Sequence, residues 1–349
     1  MVEEHFVPRA PRPARLVRPV PVDPRGRDGP TRGAAQGPRW RRVGPAGYVP
    51  ADVELTVEQR IAEEWCNLPG SRVTGWAACR LWGAAFADGE TAEGDHLDVP
   101  LLLPRERSAR RRSGRVVSRR IVPEAHHASR WRIPTLTPGM AAVEATAAIE
   151  DEREQIVFLE MMFAAGAALP EWVATALDAA PLRGRTGVGR ALVAAGERSM
   201  SPNESRLRLV WTREAGLSAP LVNQDIFDAA GRFLARVDLL DPVLGLVGEY
   251  DGAAHRSASR HHRDVAREAD LRDAGLEVVR IVGGALTTEA GRAAAAQQLR
   301  RGAQRASRRA VEARWSLTGV RRPWQTACDH LRARIPSDGD GIHDAGEPR

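Results

Sequence analysis

Apolar and polar positions in the last third of the chain follow a regular succession of helical and strand-like patterns. A helix is predicted to begin at the capping residue Ser201, with Pro202 in its first turn, and to run to Gly216. Three apolar-rich runs then predict strands, a polar stretch predicts a helix, and a short continuous apolar run predicts a buried strand. These segments span residues 221–227, 233–240, 244–250, 257–274 and 276–282. The predicted order of elements is αβββαβ.

Patterns before residue 200 are more mixed. A strand-like piece ends at Val49, and helices are predicted to begin at Thr56, in a capping-box spacing, and at Thr74. Strand-like segments at 97–103 and 116–122 are separated by an arginine-rich stretch, which a hairpin loop or a basic wing would explain. Helical spacing then predicts helices at about residues 139–149, 152–165, 171–180 and 186–196.

Changes in composition suggest the domain organisation of the 349-residue chain. Residues 1–38 are rich in proline, arginine and glycine and have few large apolar side chains, so they are predicted to be disordered. A mixed α+β region is predicted at 39–150, a helical connector at 151–198 and an α/β domain at 199–318. A second disordered tail is predicted at 319–349.

The chain contains no lysine, so arginine supplies all of its Lys and Arg positive charge. Residues 1–50 hold 10 arginines and 4 acidic residues, whereas the rest of the chain holds 41 of each. A high pI is therefore weak support for nucleic-acid binding. Two local runs are more informative: residues 105–120 hold eight arginines and one acid, and residues 300–309 hold five arginines. Either run could contact a phosphate backbone, and a solvated face or an extended loop explains each equally well.

The cysteines, the start of the chain and the lengths of its apolar runs indicate the cellular compartment. Cys66, Cys79 and Cys328 are far apart and odd in number, so neither a disulfide framework nor a metal-ligand pair is predicted. The start of the chain is acidic where a secretory signal is basic, and no stretch approaches the roughly 18 apolar residues of a membrane span. We expect a cytoplasmic protein without a membrane partner.

Acidic residues on two neighbouring predicted strands are the main candidates for chemistry. Asp238 lies in RFLARVDLLDP, where alternation places it on the opposite face from Ala235 and Val237. Glu249 lies at the end of the next strand, and Asp251 follows on the same face if the strand continues. An acid in an apolar strand is costly unless it is paired or bound to metal. Metal-assisted phosphodiester hydrolysis needs at least two converging carboxylates, which Asp238 and Glu249 would supply.

The segments SPNESRLR, VDLLDP, EYDGAAHR, DVAREADLRDAGL and EVVRIV, in this order, resemble the PD-(D/E)XK nuclease superfamily. Within it they are most similar to the very-short-patch-repair endonuclease-like branch, over residues 201–282. The resemblance implies a restriction-endonuclease-like core, Mg²⁺ or Mn²⁺ as cofactor and DNA as partner. It also implies a metal-dependent DNA endonuclease or nickase.

The resemblance assigns roles residue by residue. Asp238 corresponds to the central metal aspartate and Glu249 to the first acid of the bipartite motif. Asp251 stands where many members have lysine, which this chain cannot supply. Asp251 therefore either binds a second metal or orients water, or catalysis is weakened. The remaining catalytic, substrate-binding and auxiliary candidates are His255, Arg256, Asp264, Arg267 and Glu204.

Most of these residues have structural alternatives. Glu204 lies three residues after Ser201, so its plainest role is to close a capping box. Asp251 with the glycine after it is typical of a turn, and His255 could simply be solvated. Asp264 and Arg267 have the i, i+3 spacing of a weak helical ion pair.

The N-terminal half resembles a different group. The segments WRRVGPAGYVP, SRVTGWAACRLWGA and IPTLTPGMAAVEATA are similar to the wing strand, first helix and connector of AbiE-type abortive-infection antitoxins, over residues 39–149. This resemblance implies a winged-helix DNA-binding module and leaves a protein partner open. The helices expected before the wing are replaced by the proline- and arginine-rich segment, which puts the DNA-reading helix in doubt.

Two functions follow from the sequence. The first is a DNA endonuclease, and the alternative is a catalytically inactive nuclease-fold protein that binds DNA as a regulator. A small-molecule enzyme finds little support, because no glycine-rich phosphate loop, nucleophile elbow or zinc-ligand spacing is present. The choice between DNA and RNA and the biological pathway stay open.

Overall fold

The computed structural model describes residues 7–91, 93–180, 182–252, 258–282, 284, 286–309, 313–319 and 324–335, with backbone only for 258–265. The chain is a mixed α/β protein with mixed and antiparallel sheets. It divides into an N-terminal unit, residues 8–194 with 331–335, and a C-terminal unit, residues 195–330 with residue 7. No helix in these described ranges is both long and apolar enough to cross a bilayer.

The N-terminal unit contains an antiparallel hairpin and a five-stranded mixed sheet. Its elements are β1 Trp40–Gly44, β2 Gly47–Pro50, α1 Val57–Cys66, β3 Arg72–Val73, α2 Gly75–Leu81, β4 Val99–Leu102, β5 Arg115–Ser118, β6 His127–Arg130, β7 Ile133–Leu136, α3 Pro138–Ala147, α4 Glu152–Ala164, α5 Pro170–Ala179 and α6 Arg185–Ala194. The hairpin pairs β1 with β2, and the larger sheet has the order β5-β4-β3-β7-β6. The N-cap at Thr56 is confirmed, because its side chain accepts a hydrogen bond from the Gln59 amide.

Helices α3 to α6 form much of the core of this unit. Nearly every residue of α3 and most of α4 are buried, and α3 packs against α2, α4 and α5. The segment 151–198 was predicted as a connector, but α4 to α6 belong to the N-terminal unit instead of linking two domains. The four helices themselves agree closely with the predicted ranges.

Residues 7–38 differ from the predicted disorder at the start of the chain, because they form hydrogen bonds with later residues. They form little regular structure, yet their backbone is paired: Ala10 N donates to Gly83 O at 2.8 Å, and Val20 exchanges two hydrogen bonds with Tyr48. The amide side chain of Gln59 also bonds both backbone groups of Val17. A segment poor in apolar side chains is thus held through its backbone groups, a contribution that composition does not reveal.

The arginine-rich stretch after β4 also differs from the prediction, because it does not form a hairpin loop. A hairpin would make β4 and β5 antiparallel, but they pair in parallel, with Val99 opposite Arg115 and Leu102 opposite Ser118. Parallel neighbours need a long connection. The arginine-rich residues between Leu102 and Arg115 are that connection.

The C-terminal unit has the predicted αβββαβ succession. Its elements are α7 Pro202–Leu209, which continues as a π-helical turn Val210–Glu214, then β8 Leu221–Asp228, β9 Phe233–Asp241, β10 Leu246–Asp251, α8 Ala258–Asp273, β11 Glu277–Val282, α9 Glu289–Ser307 and β12 Trp315–Ser316. The division between the units falls within α10 Ala327–Arg332, after residue 330. Helix α9 was not predicted. Helix α10 lies in the region 319–349 that was predicted to be disordered, so that prediction is wrong for residues 324–335.

The C-terminal sheet has the order β11-β10-β9-β8-β12, with β10 and β11 parallel and the other pairs antiparallel. One apolar cluster joins α7 and α9 to the sheet around Trp211 and Leu299. A second cluster joins α8 to the sheet through Leu271. Helices therefore cover both faces of the sheet.

Helix α9 approaches the sheet closely at Gly302. A Cβ there would lie 2.3 Å from Cγ2 of Val279 and 3.1 Å from Cδ1 of Leu246. We expect Gly302→Ala to lower the free energy of unfolding by about 1–3 kcal/mol through overpacking, despite the higher helix propensity of alanine. Thermal unfolding followed by circular dichroism measures this effect.

Gly189→Ala in α6 is the matched control for Gly302→Ala. Its added Cβ would meet only Cδ2 of Leu177, at an ordinary 3.7 Å, so the helix-propensity gain should remain and the variant should be at least as stable as wild type. An unchanged or higher melting temperature for Gly302→Ala would contradict the close packing of α9.

Candidate functional site

The candidate site lies where β9 and β10 stop pairing. Their ladder runs from Asp241 opposite Leu246 to Leu239 opposite Gly248. Asp238 and Glu249 are the next residues of the two strands. Instead of a further backbone pair, Oδ2 of Asp238 accepts a hydrogen bond from the Tyr250 amide at 2.8 Å. The two predicted metal carboxylates are therefore on adjacent strands at the point of divergence.

Strand β9 changes the face that it presents at Asp238. Val237 packs in the cluster beneath α8, whereas Leu239 packs in the cluster beneath α7 and α9. A regular strand would place these two residues on one face. On β8, Asn223 lies between the partners of Val237 and Leu239 and has a left-handed φ of 48°. The predicted alternation thus holds up to Val237 and ends at Asp238.

Glu204 lies at the N-terminus of α7, but its side chain accepts from the Met200 amide and not from the Ser201 amide of a regular capping box. The Glu204 amide donates to Oγ of Ser201 at 3.2 Å, and Oε2 of Glu204 accepts from the Met200 amide at 2.8 Å. The same oxygen also accepts from Nδ2 of Asn223 at 2.6 Å. Glu204 is therefore both a structural residue at the start of α7 and a carboxylate directed toward β8, so the structural and auxiliary roles are compatible.

The carboxylates of Glu204 and Glu249 are close enough to Asp238 to change its pKa. Burial and, after it, the negative charges of Glu204 and Glu249 raise the pKa of Asp238, which reaches about 7 once all its neighbours are included. The hydrogen bond from the Tyr250 amide and the charge of Arg267 oppose this shift in the pKa. Crowded carboxylates that raise one another's pKa are a common feature of cation sites and catalytic sites.

Glu249 is almost completely buried and receives two guanidinium groups. Nη2 of Arg267, from α8, donates to its Oε1 at 2.7 Å, and Nη2 of Arg280, from β11, lies 3.4 Å from its Oε2. Arg267 also donates to the backbone oxygen of Arg236 at 3.0 Å. The guanidinium that the sequence assigned to substrate is thus engaged by Glu249 in this structure.

Asp251 is the last residue of β10 and pairs with Val282, so the strand does continue past Glu249. Its Oδ2 lies 3.8 Å from Nη1 of Arg280. Glu268 of α8 also pairs with Arg280, at 3.0 Å. Arg280 therefore connects Glu249, Asp251 and Glu268.

Sequence reasoning missed Arg280 and Glu268. Arg280 is the one charged residue between the apolar positions of EVVRIV, and the parallel register places it beside Glu249. A charge inside an apolar strand needs a partner, which is the reasoning that identified the acids. The other predicted site positions cannot be compared: His255 and Arg256 lie outside the described residues, as does the side chain of Asp264.

The acidic side chains of the site are potential donors to a divalent metal ion. Across the described residues, no group of three or more His, Cys, Asp or Glu side chains is placed to hold a metal ion. Mg²⁺, however, commonly binds through one or two carboxylates and completes its shell with waters and substrate phosphates. Asp238 and Glu249 provide hard oxygen donors on adjacent strands, so their chemistry fits such an ion.

The raised pKa of Asp238 predicts a pH dependence of stability in the absence of metal. Its usual value is 3.8 and the folded value is about 7, so between these values the folded chain holds a proton that the unfolded chain has lost. Wild-type stability contributed by this proton is therefore lost as pH rises toward 7. Asp238→Asn should raise the melting temperature in chelator, more at about pH 8 than at about pH 5.

Asp228→Asn is the control for this pH dependence. Backbone amide donors, led by that of Arg232, hold the pKa of Asp228 below its usual range, so its ionised form stabilises the fold. The Asp228 variant should therefore melt lower than wild type at both pH values. A difference between Asp238→Asn and wild type that does not change with pH would contradict the crowding of carboxylates around Asp238.

Comparisons of the chain with protein-family models, curated proteins and solved structures found no match. The resemblance of residues 201–282 to PD-(D/E)XK nucleases and that of residues 39–149 to AbiE-type antitoxins stay predictions. The function is therefore inferred from the residues of the site and their geometry.

Proposed function

We propose that the C-terminal unit is a restriction-endonuclease-like core that hydrolyses phosphodiester bonds in DNA with the help of Mg²⁺ or Mn²⁺, as an endonuclease or nickase. Asp238 and Glu249 hold the cation, and Glu204 completes the acidic group. The observation that carries the proposal is that Asp238 and Glu249 lie on adjacent strands where β9 and β10 separate. A third carboxylate, that of Glu204, is close enough to raise the pKa of Asp238.

A divalent cation bound by these carboxylates would lower the pKa of a bound water and neutralise charge that develops at phosphorus. The chain itself orients the donors. The Tyr250 amide fixes Oδ2 of Asp238, and Arg267 and Arg280 fix both oxygens of Glu249. Donors held by packing and hydrogen bonds lose little entropy when they bind a ligand.

Many members of the PD-(D/E)XK superfamily, which residues 201–282 resemble, have a lysine in the site. In this chain Arg267 and Arg280 supply the positive charge instead. A guanidinium stays protonated at all working pH values and binds phosphate oxygens in a bidentate manner. It cannot accept a proton from water under these conditions. The arginines are therefore suited to orient Glu249 and a substrate phosphate, and not to act as a general base.

The proposal is tested by incubating purified protein with supercoiled plasmid, single-stranded DNA and mismatch-bearing duplex, each with Mg²⁺, Mn²⁺ or a chelator. We expect nicked or cut product only where a divalent cation is present. If none of the substrates is cut with either metal while the protein remains folded, the nuclease proposal is wrong.

One observation favours a second function, a catalytically inactive nuclease-fold module that binds DNA: Glu249 is already paired with two arginines. The resemblance of residues 201–282 adds that Asp251 stands where many members have lysine. Such a module would bind DNA equally well with and without metal, and substitution of Asp238 or Glu249 would leave binding unchanged. Parallel binding and cleavage measurements separate the two functions.

A further inference from the structure

The connection between β4 and β5 in the N-terminal unit is an arginine-rich segment that is tied at both ends. The Leu103 amide donates to Ser118 O at 2.9 Å, and the Val99 amide donates to Gly114 O at 2.9 Å. Oδ1 of Asp98 accepts from the Gly114 amide at 2.8 Å. The segment therefore has a defined course, although it contains no helix or strand of its own.

This segment and β5 line an open concavity of about 680 Å³. Half of its ten lining residues are arginines, and only one is acidic. The acid is Asp98, whose carboxylate already accepts the Gly114 amide. We name this concavity the arginine groove; its arginines are Arg110, Arg111, Arg112, Arg115 and Arg119.

Several of these cations lack an anionic partner within the described part of the chain. Arg115 pairs with Glu64 at 3.4 Å, and Arg112 donates to the Val43 oxygen at 3.4 Å. Arg110, Arg111 and Arg119 are exposed and form no ion pair there. Like charges gathered on one concave wall create a positive potential that attracts anions.

We propose that the arginine groove binds the sugar-phosphate backbone of a nucleic acid. Guanidinium groups match phosphate oxygens in a bidentate geometry, and several along one groove suit a repeating phosphate chain better than a single anion. The volume lies in the range of ligand-binding clefts, far above that of one phosphate. Apolar lining is limited to an alanine and two valines, so an acyl chain or an apolar peptide anchor would find little to contact.

This surface goes beyond the proposed nuclease site, because it belongs to the N-terminal unit and needs no metal. Its test is therefore made in chelator, where a nuclease cannot cut the probe. Binding of labelled duplex DNA, single-stranded DNA and RNA is followed by fluorescence anisotropy across a series of salt concentrations. Failure of the nuclease proposal leaves this measurement unaffected.

The test variant carries Arg110→Gln, Arg111→Gln and Arg119→Gln, which spare the ion-paired Arg115; among the described residues, Arg119 donates only to the backbone oxygen of Arg107, at 3.1 Å. We expect its affinity at low salt to fall at least about tenfold and the slope of log affinity against log salt to become shallower by about 2 to 3. The matched control removes the same charge from exposed arginines outside the groove, through Arg25→Gln, Arg27→Gln and Arg32→Gln. The control should keep most of the affinity and the slope.

Three results would overturn the proposal. The first is equal weakening by the groove variant and its control, because bulk charge would then explain binding. The second is a groove variant that binds nucleic acid as wild type does. The third is wild-type protein that binds vesicles containing anionic phospholipid and none of the nucleic-acid probes. Circular dichroism of both variants confirms that each is folded before binding is compared.

Discussion

Replacement of Glu249 by glutamine should reduce metal-dependent cleavage by at least about 100-fold, the upper end of the loss seen when a group that merely supports a metal ligand is removed. Glutamine keeps the shape of the side chain but has no charge to offer a cation. The loss should appear in cleavage of supercoiled plasmid with Mg²⁺, measured as the initial rate of nicking. Raising the metal concentration should recover part of the rate, because the variant binds metal more weakly.

Glu277→Gln is the matched control for Glu249→Gln. Glu277 is also buried, lies on the neighbouring strand β11 and pairs with two arginines, Arg305 at 2.7 Å and Arg309 at 3.1 Å. Its substitution disturbs a comparable ion-pair group without touching the candidate site. Equal cleavage losses in the two variants would show that Glu249 acts only through folding, and full activity of Glu249→Gln would remove it from the site.

Arg280→Met should destabilise the C-terminal unit by about 1–3 kcal/mol in chelator, less than for a fully buried pair because the arginine side chain is 24% exposed. The substitution leaves Glu249, Asp251 and Glu268 without a shared cation. Mg²⁺ should then stabilise the variant more than it stabilises wild type, since a divalent ion can neutralise the same carboxylates. Thermal unfolding with and without Mg²⁺ measures both effects.

Arg232→Met provides the contrast to Arg280→Met. Arg232 pairs with Asp228 at 2.7 Å, but its side chain is 82% exposed, so the loss of stability should be smaller than for Arg280→Met and independent of Mg²⁺. If Mg²⁺ shifts the melting temperatures of wild type, Arg232→Met and Arg280→Met by the same amount, Arg280 does not share its carboxylates with a metal.

Much of the C-terminal unit was predictable because its signals are local. The cap at Ser201 and the apolar strands each depend on residues close in sequence, and the observed αβββαβ order agrees with them. The same holds for α3 to α6. Local patterns specify the kind of element well, because side-chain periodicity differs between helix and strand.

Features that depend on distant partners were missed. The parallel pairing of β4 with β5 is a matter of sheet topology, which alternation does not encode. Strand β3 has two residues, too few to show a period. Helix α9 contains many alanines, so it lacks the large apolar side chains that mark an amphipathic face. The backbone pairing of residues 7–38 leaves no mark in composition.

In the candidate site, too, the residues marked by local sequence were predicted and those that depend on distant partners were not. Asp238 and Glu249 stand out in the sequence because acids in apolar strands need an explanation. Their arginine partners come from α8 and β11, so the sequence alone gave no reason to connect Arg267 or Arg280 with Glu249. The second basic run at residues 300–309 is partly structural, since Arg305 and Arg309 hold Glu277.

The most direct measurement of the central claim is a crystal of the protein soaked in Mn²⁺, with the metal located by anomalous scattering. We expect an anomalous peak bound by carboxylate oxygens of Asp238 and Glu249, and its loss in crystals of Asp238→Asn. Ordered crystals that bind Mn²⁺ elsewhere or not at all, with Glu249 still paired to Arg267 and Arg280, would contradict the metal-dependent nuclease and favour the DNA-binding module.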